Sequence, residues 1–414
     1  MVLNPTFIDL FAGCGGLSLG LLDAGWKGVL AVEKNNDAFQ TFNENLIKSK
    51  KYNFTWPKEI PVGPMAIEDL INNYSKDLEF LKGNVDLVAG GPPCQGFSMA
   101  GKRKIDDERN LMFYKYLDVV EIISPKFILL ENVKGFDMKY QIDEDNEYKA
   151  AEFLRKGLEQ IGYDVRWNKV LNAKDCGAPQ TRPRFFQFGV KKKLLKNSVD
   201  SPFDILEKKV LPKFIKNKGI SKKPSCRNAI SDLEIKGREL PKWKGKMKGF
   251  YELPYTKPQT QYQKYMNRGM NGHKPNSRRI AKHAIKTKKR FEFILNNAEK
   301  GKSIGENIRK KLENNGLGTQ KRTIVPLNPN AASPTVVTLP DDYIHYNEPR
   351  ILTVREFARL QTFPDWFAFF GKYTTGGPRR KDECPRYTQV GNAVPPFVAE
   401  ALGLSILKYY RGDN

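Results

Sequence analysis

The sequence predicts an α/β protein in which a doubly wound, mainly parallel sheet carries helices on both faces, accompanied by a smaller, irregular and basic domain. Three observations support this prediction. Short apolar runs alternate with amphipathic stretches over residues 1–190, a pattern typical of parallel strands connected by helices. A glycine-rich turn follows the first apolar run. After Val190 the periodicity is lost and the chain becomes strongly basic.

Six short apolar runs are predicted to be strands. In chain order they are TFIDL (6–10), GVLAVE (28–33), VDLVAG (85–90), KFILLENV (126–133), VRWNKVLN (165–172) and RFFQFGV (184–190). Sheets of this class bind ligands in the crevice beyond the carboxyl ends of their strands. Residues that directly follow these runs are therefore the first candidates for a functional site.

Amphipathic patterns predict helices between the strands and near the end of the chain. The predicted helices are 17–24, 111–123, 149–161, 351–361 and 396–410. The segment RYTQVGNAVPP (386–396) is expected to form a glycine turn that leads into the last of them.

The positive charge is concentrated in one segment. Residues 191–320 contain 34 Lys and Arg against 11 Asp and Glu, so they carry a net charge of +23 out of +24 for the chain. Within this segment PKWKGKMKGFYELPYTKPQTQYQ (241–263) interleaves cations with aromatic residues. Such a concentration of charge indicates a module that binds a polyanion.

Cysteine and histidine usage limits the chemistry. The five cysteines are scattered without a Cys-x-x-Cys pair, and only three histidines are present. This argues against a disulfide framework and against a metal site, and it indicates a reducing compartment. With no recognisable signal peptide and no apolar run of membrane-spanning length, a cytoplasmic location is expected.

The first motif, FIDLFAGCGGLSLGL (7–21), combines a strand, a glycine turn and a helix start. The glycines allow a ligand to approach the backbone, and the helix start offers free N–H donors. Ser18 occupies the third glycine position of the dinucleotide fingerprint. Glu33, twenty residues after Gly13, can accept hydrogen bonds from ribose hydroxyls. Together these features favour a nucleoside cofactor without phosphates, such as S-adenosylmethionine.

The second motif, VAGGPPCQGFS (88–98), ends a strand abruptly and places Cys94 behind two prolines. A thiol at this position faces the ligand crevice, and its thiolate is the reactive species. Glu131 ends the apolar strand FILLENV in the same crevice, where burial raises the pKa of a carboxyl group. Arg182 and Arg184 alternate across Pro183, so period 2 places both on one face.

These segments, in this order, resemble the motifs of cysteine-dependent cytosine-5 DNA methyltransferases of the bacterial restriction-modification type. The matching motifs are FIDLFAGCGG, GGPPCQGFS, ENV at 131–133, QTRPR at 180–184 and QVGNAV at 389–394, with a sixth in ASPTVVTLP (332–340). The resemblance covers roughly 1–190 and 320–414, and the segment between them is the variable part that contacts the DNA target in this family.

The resemblance implies a methyltransferase sheet and a covalent mechanism. Cys94 attacks carbon 6 of a cytosine flipped out of the duplex, and carbon 5 then takes a methyl group from S-adenosylmethionine, which leaves as S-adenosylhomocysteine. Glu131 contacts the ring N3 and the exocyclic amine, Arg182 holds O2, and Arg184 fixes the loop geometry. No metal is required.

The resemblance also implies two sets of binding residues. The cofactor contacts are Phe11, Ala12, Gly13, Gly16, Glu33, Ile67, Pro93, Met112, Asn392 and Val394. The DNA contacts are Gln95, Ser98, Lys102, Arg103 and Gln180, with the loop 95–110 expected to close over the DNA. The acidic residue that usually binds the adenine is replaced by Ala66, so that contact is left to Glu68, to Asp69 or to the backbone.

The predicted organisation is a catalytic, cofactor-binding domain over 1–190, completed by 385–414, and a small target-recognition domain over 191–384. Double-stranded DNA is the expected partner of a monomeric enzyme located on the nucleoid, and a cognate restriction endonuclease is a further expected partner. Three alternatives stay open: a tRNA cytosine methyltransferase of the same lineage, a non-catalytic DNA-binding regulator, and a nicotinamide oxidoreductase. The size and charge of the middle segment favour duplex DNA, the intact Cys94 and Glu131 favour catalysis, and the missing third glycine disfavours the nicotinamide cofactor.

Overall fold

The computed structural model describes residues 5–93, 111–141, 147–195, 200–245, 248–374, 379 and 383–412. The chain divides into two compact units. Unit 1 comprises Met1–Asn172, Pro183–Phe214 and Pro396–Asn414. Unit 2 comprises Ala173–Arg182 and Ile215–Pro395.

The strands of the described residues are β1 (Thr6–Leu10), β2 (Lys27–Val32), β3 (Leu87–Gly90), β4 (Phe127–Val133), β5 (Tyr140–Gln141), β6 (Glu147–Tyr148), β7 (Tyr163–Asn172), β8 (Pro183–Lys191), β9 (Val325–Pro326) and β10 (Tyr343–Ile344). The helices are α1 (Gly16–Asp23), α2 (Asn36–Phe42), α3 (Ile67–Phe80), α4 (Leu111–Ile123), α5 (Ala150–Gln160), α6 (Pro202–Ile205), α7 (Leu211–Lys218), α8 (Cys226–Ile230), α9 (Gln261–Met266), α10 (Ile285–Asn297), α11 (Glu306–Asn314), α12 (Val354–Leu360), α13 (Arg386–Asn392) and α14 (Pro396–Arg411).

Unit 1 is built on a six-stranded sheet with the order β2-β1-β3-β4-β8-β7. The strands β2, β1, β3 and β4 are parallel, while β8 is antiparallel to β4 and β7 is antiparallel to β8. All six strands correspond to the predicted runs. The predicted mainly parallel α/β sheet is therefore confirmed.

Helices cover both faces of this sheet. One face packs its apolar residues, among them Ile8 and Ile128, against α3, α4 and α5 in a single buried cluster. On the other face Tyr409 of α14 makes edge-to-face contacts with Phe127 and Phe188. The helices α1 and α14 approach closely there, because a Cβ added at Gly20 would lie 2.4 Å from the Cβ of Ala399.

The parallel register aligns the carboxyl ends of three neighbouring strands. Leu10 of β1 pairs with Gly90 of β3, and Gly90 pairs in turn with Leu130 of β4. A Cβ added at Gly90 would lie 2.5 Å from the carbonyl oxygen of Leu10. The strands β1 and β3 can therefore come this close only because residue 90 has no side chain.

Unit 2 is irregular, with short helices and two-residue strands, as its weak periodicity predicts. Its core includes buried ion pairs around α12. Both ends of the Arg359 guanidinium are occupied, by Asp232 at 2.7 Å and by Asp365 at 2.8 Å, and all three side chains are fully buried. Arg350 is held in the same way by Glu356 at 2.8 Å. Buried charges are tolerated here because each one is paired and hydrogen-bonded.

The unit bounds differ from the predicted domain bounds. The segment 191–214 lies in unit 1, whereas 173–182 and 385–395 lie in unit 2. The expected glycine turn at 386–396 is wrong in part, because residues 386–392 form the helix α13. Gly391 lies within this helix and packs closely against the backbone at Val337. A Cβ added at Gly391 would lie 2.6 Å from the carbonyl of Val337.

One apolar stretch reaches membrane-spanning length, which the sequence patterns did not predict. Among the described residues, Arg386–Arg411 is long and apolar enough to cross a membrane, with a mean hydropathy of 1.4 over its most apolar window. Of that window, 83% is buried inside the protein. Burial of this extent is what a helix in a folded core also shows.

A buried carboxyl group joins β1 to α1. Asp9 is 1% exposed, and the Ser18 hydroxyl donates to its Oδ2 at 2.5 Å. Burial raises the pKa of Asp9 to about 7, and the neighbouring Glu33 and Glu131 add to the rise, against the lowering effect of the Ser18 hydrogen bonds. Near neutral pH this side chain therefore changes between a neutral and a charged form inside the protein.

We expect Asp9→Asn to remove part of the pH dependence of stability. In the wild-type protein the folded state holds the Asp9 proton up to a pH of about 7, whereas the unfolded chain releases it at its ordinary, lower pKa. The free energy of unfolding therefore falls as pH rises between these two values, by at most about 1.4 kcal/mol per pH unit. Chemical denaturation at several pH values measures this slope, which should be shallower in the variant.

The matched control is Asp69→Asn, which removes an exposed carboxylate from the first turn of α3. Its unfolding free energy should follow the wild-type pH dependence. An Asp9→Asn protein with the wild-type slope would contradict the assignment of a proton to Asp9 in the folded state.

Candidate active site

The turn after β1 has the open backbone that the glycine pattern predicts. Phe11 and Gly13 have positive φ values, of 64° and 57°. The amide of Ala12 donates to the carbonyl of Val32 at 2.9 Å, and the amide of Gly15 donates back to Ala12 at 3.0 Å. The turn is thus held to β2 and to itself, and α1 begins directly after it at Gly16.

Glu33 follows β2 and lies against the same turn. Its Oε2 accepts from the amide of Gly13 at 3.0 Å, and its Oε1 accepts from the amide of Asn35 at 2.7 Å. Burial raises the pKa of Glu33, and these backbone hydrogen bonds oppose the rise. A Cβ added at Gly13 would meet no atom within 4 Å, so there is free space beside the turn.

The Gly-Gly-Pro-Pro segment after β3 lies against the end of β4. A Cβ added at Gly91 would lie 2.8 Å from Oε2 of Glu131. The Nδ2 of Asn132 donates to the carbonyl of Pro92 at 3.0 Å, and Pro93 is exposed. The backbone that leads to Cys94 is therefore held beside the end of β4.

Glu131 is paired with one of the two predicted arginines. The Nε of Arg184 lies 3.3 Å from Oε1 of Glu131, and both side chains are mostly buried. Burial lowers the pKa of Arg184, while the charge of Glu131 raises it. The predicted apolar surroundings of Glu131 thus include a guanidinium.

Arg182 is held by backbone carbonyl groups. It lies in unit 2, is 2% exposed, and donates to the carbonyls of Val336 and Gly391 at 2.8 and 2.7 Å. Its terminal nitrogens are therefore engaged by the backbone of unit 2. The base contact expected for Arg182 stays a prediction, and Arg184 lies beside Glu131.

Gln180 is also buried in unit 2, with no exposed surface. Its Nε2 donates to Oε1 of Gln361 at 2.7 Å, and its Oε1 accepts from the amide of Val336 at 2.7 Å. The amide side chain thus satisfies backbone and side-chain groups around α12. The DNA contact expected for Gln180 stays a prediction.

The remaining cofactor candidates fall into two groups. In unit 1, Ile67 is buried in the cluster beneath the sheet, and Met112 packs against that cluster while partly exposed. In unit 2, Asn392 is exposed at the end of α13, and Val394 is buried behind it. Ala12 is 8% exposed. Of these side chains, Asn392 is the polar one that is open to solvent.

The adenine contact stays open between two carboxylates and the backbone. Ala66 precedes α3 and is partly exposed, and the amide of Met65 donates to the carbonyl of Glu33 at 2.8 Å. Glu68 and Asp69 lie in the first turn of α3, where Asp69 is exposed. The segment 65–69 is therefore attached to the same strand end as Glu33.

Five predicted residues lie outside the described part of the chain: Cys94, Gln95, Ser98, Lys102 and Arg103. Their predicted roles stay predictions. Within the described residues, no group of His, Cys, Asp or Glu side chains could hold a metal ion.

Sequence reasoning missed two residues of this site. Asp9 interrupts an apolar strand, and a charged residue at such a position is a signal of a buried, hydrogen-bonded group. Asn132 donates a hydrogen bond to the carbonyl of Pro92. Its position in the ENV motif is the sequence feature that could have indicated this role.

Comparison with known proteins identifies relatives along nearly the whole chain. The type II methyltransferase M.DdeI of Desulfomicrobium norvegicum is 32% identical over 98% of this chain and 89% of its own length. M.XorII of Xanthomonas oryzae pv. oryzae is 30% identical over 99% of this chain and 86% of its own length. M.MthTI of Methanothermobacter thermautotrophicus is 30% identical and covers 99% of both chains.

Solved structures have the same fold. A DNA modification methyltransferase encoded within a prophage (E. coli) superposes with a TM-score of 0.64 at 26% identity, over 98% of this chain and 99% of that one. The S. pombe Dnmt2 methyltransferase, at 17% identity and a TM-score of 0.52 over 99% of each chain, shares the fold. A family model described as C-5 cytosine-specific DNA methylase matches residues 5–408. The chain therefore belongs to the C-5 cytosine-specific DNA methylases, and it is a DNA cytosine-5 methyltransferase of the restriction-modification type.

Proposed function

We propose that this enzyme methylates carbon 5 of a cytosine flipped out of double-stranded DNA, with S-adenosylmethionine as donor and a covalent adduct on Cys94. One observation carries the proposal. The register of Leu10, Gly90 and Leu130 brings the cofactor turn, the backbone before Cys94 and Glu131 to one edge of the sheet. In open α/β sheets this edge is where ligands bind.

The turn and the end of β2 would hold the cofactor. Bound S-adenosylmethionine supplies an electrophilic methyl group on its sulfonium and becomes S-adenosylhomocysteine. Glu33 would accept hydrogen bonds from the ribose hydroxyls, and the open space beside Gly13 would let the cofactor approach the backbone of the turn. Further contacts would come from the backbone of residues 11–16 and from Ile67, Pro93, Met112, Asn392 and Val394.

Cys94 would act as the nucleophile. Its thiolate sulfur adds to carbon 6 of the cytosine, and the electron pair of the 5,6 double bond makes carbon 5 nucleophilic. After methyl transfer, loss of the carbon-5 proton to solvent returns an electron pair to the ring and expels the Cys94 thiolate. We propose that water next to the DNA phosphates takes the thiol proton beforehand.

Glu131 and Arg184 would hold the cytosine ring. Glu131 contacts N3 and the exocyclic amine, and donates a proton or a hydrogen bond to N3 as negative charge develops. Arg184 rather than Arg182 would donate to O2, because its guanidinium lies 3.3 Å from the Glu131 carboxylate. Arg182 would keep the QVGN segment in place through the carbonyl of Gly391.

Unit 2 would read the DNA target, since it contains most of the basic segment. The relatives' role as type II methyltransferases supports a cognate restriction endonuclease as a partner. We further propose a monomeric enzyme that works on the nucleoid. A restriction endonuclease gene next to the coding sequence would support the proposed endonuclease partner. Light scattering measures whether the enzyme is a monomer.

We expect Cys94→Ser to abolish methylation while leaving DNA binding intact, because serine fills the same space but is a far weaker nucleophile. Bisulfite sequencing of DNA from cells that express either protein measures this and also maps the target sequence. Tritiated methyl transfer to duplex DNA and to tRNA, compared in vitro, tests the substrate class.

Label on tRNA alone would contradict the duplex DNA substrate. Methylation that persists in Cys94→Ser would contradict the covalent mechanism. A wild-type protein that methylates no cytosine, in cells or in vitro, would favour the non-catalytic regulator.

Substitution of Arg184 should lower kcat, whereas substitution of Arg182 should lower Tm. We expect Arg184→Lys to lower kcat roughly 100-fold, the typical cost of one lost transition-state donor, with little change in Tm. Arg182→Lys should lower Tm instead, because a lysine cannot donate to both carbonyls at once. Single-turnover kinetics and thermal unfolding of both variants measure this.

The opposite pattern would support the contact between Arg182 and O2 of the cytosine that the sequence predicts. A Tm-neutral loss of kcat in Arg182→Lys, together with normal turnover in Arg184→Lys, would place Arg182 on the base.

A further inference from the structure

Three carboxyl groups share one face of the sheet in unit 1. Asp9 of β1 is level with Ala31 of β2 and, across β3, with Leu129 of β4. Glu33 and Glu131 follow Ala31 and Leu129 by two residues. Side chains alternate between the two faces of a sheet with a period of two. Asp9, Glu33 and Glu131 therefore lie on the same face, with Asp9 one step deeper than the other two.

The Asp9 carboxyl group is buried with few polar neighbours. Its Oδ2 accepts from the Ser18 hydroxyl at 2.5 Å, and its Oδ1 is buried without a hydrogen-bond partner among the described residues. Across the sheet it is flanked by the small apolar residues Ala31 and Ala89. The helix α1 has no charged residue before Asp23, its last one. The carboxyl group is thus solvated by little more than Ser18.

The charged groups around Asp9 are of its own sign. Glu33 and Glu131 both oppose a negative charge on Asp9. The cations of this region act on those two carboxylates instead: Lys34 on Glu33, and Arg184 on Glu131 at 3.3 Å. Within the described residues, the cluster therefore offers Asp9 no counter-ion of its own.

A carboxyl group in this position is close to a balance between its neutral and charged forms. Burial raises the pKa of Asp9 to about 7, the Ser18 hydrogen bonds oppose the rise, and the two neighbouring carboxylates add to it. A cation placed at the same strand ends would favour the ionised form and lower this pKa. Charges in a partly buried site interact more strongly than in water, so contact is not required.

The proposed methyl donor and its product differ by one such cation. S-adenosylmethionine contains a positively charged sulfonium, whereas S-adenosylhomocysteine contains a neutral thioether, and the rest of the two molecules is the same. The turn 11–16 that would hold both molecules begins two residues after Asp9, and Ser18 links Asp9 to the helix that follows the turn. The carboxyl group therefore lies beneath the proposed cofactor site.

We propose that Asp9 is a specificity-determining residue that senses the charge of the cofactor: it releases a proton when the cationic donor binds and keeps it when the neutral product binds. The proton passes to solvent on donor binding and returns from solvent once the methyl group has left the sulfur. The preference for donor over product therefore grows as pH rises towards neutrality. This inference rests on the proposed function and adds how the site distinguishes the two molecules.

The test is calorimetry of cofactor binding to the full-length protein at about pH 6.5. Titration with S-adenosylmethionine and with S-adenosylhomocysteine, each in two buffers of different ionisation enthalpy, counts the protons released. Comparing the two ligands removes the contacts they share, and below pH 7 their α-amino groups stay protonated.

We expect the donor to release about half a proton more than the product. This amount follows if the sulfonium lowers the pKa of Asp9 by about one unit. The ratio of the product's dissociation constant to the donor's should rise roughly fourfold between about pH 5.5 and pH 7.

Three variants assign the proton. Asp9→Asn keeps the size of the side chain but cannot titrate, so it should abolish the difference between the ligands. Ser18→Ala removes the hydroxyl that favours ionised Asp9, so it should shift the maximum of proton release to higher pH, and it tests the proposal even if Asp9→Asn does not fold. The matched control is Glu79→Gln, which removes an exposed carboxylate near the end of α3 and should behave like the wild-type protein.

Equal proton release with the two ligands in the wild-type protein would overturn the inference. A difference that persists in Asp9→Asn, or a maximum that does not move upward in Ser18→Ala, would overturn it too. If the wild-type protein methylates DNA but shows no proton difference, the proposed function stands and only this inference falls. If it binds neither ligand and methylates no DNA, both fall.

Discussion

The alignment of three parallel strand ends is the constraint on which the site depends. Leu10, Gly90 and Leu130 stand side by side, and β1 and β3 are so close that no side chain fits at residue 90. A Cβ at Gly90 would meet the backbone of β1, and one at Gly91 would meet the carboxylate of Glu131. Gly90 is therefore a packing requirement, and Gly91 places the chain before Cys94 against the side chain of Glu131.

The same alignment brings three carboxyl groups to one edge of the sheet, and each is accommodated differently. Asp9 is buried deepest, and its pKa is raised to about 7, so it can remain neutral. Glu33 accepts two backbone hydrogen bonds, and Glu131 faces the guanidinium of Arg184. Like charges so close would otherwise oppose folding. The three carboxyl groups are thus stabilised by separate means, and Asp9 also joins β1 to α1 through Ser18.

Much of this could be predicted from the sequence, because strands and the residues that follow them are local features. All six strands of the sheet, the glycine turn and the position of Glu131 follow from apolar runs and turn residues. The environments of Gln180 and Arg182 do not, because their partners are Gln361, Val336 and Gly391, more than 150 residues away in sequence. A polar side chain in a motif can serve the ligand or the scaffold, and only its tertiary contacts distinguish the two.

The central claim is that Cys94, which follows Pro93, attacks a cytosine that Glu131 holds. The most direct test is mass spectrometry of the protein after reaction with S-adenosylmethionine and a duplex that carries 5-fluorocytosine at the target position. Fluorine cannot leave as the carbon-5 proton does, so the adduct cannot break down. The account predicts a stable protein–DNA adduct on the peptide that contains Cys94. An adduct on another residue, or methylated product without any adduct, would contradict it.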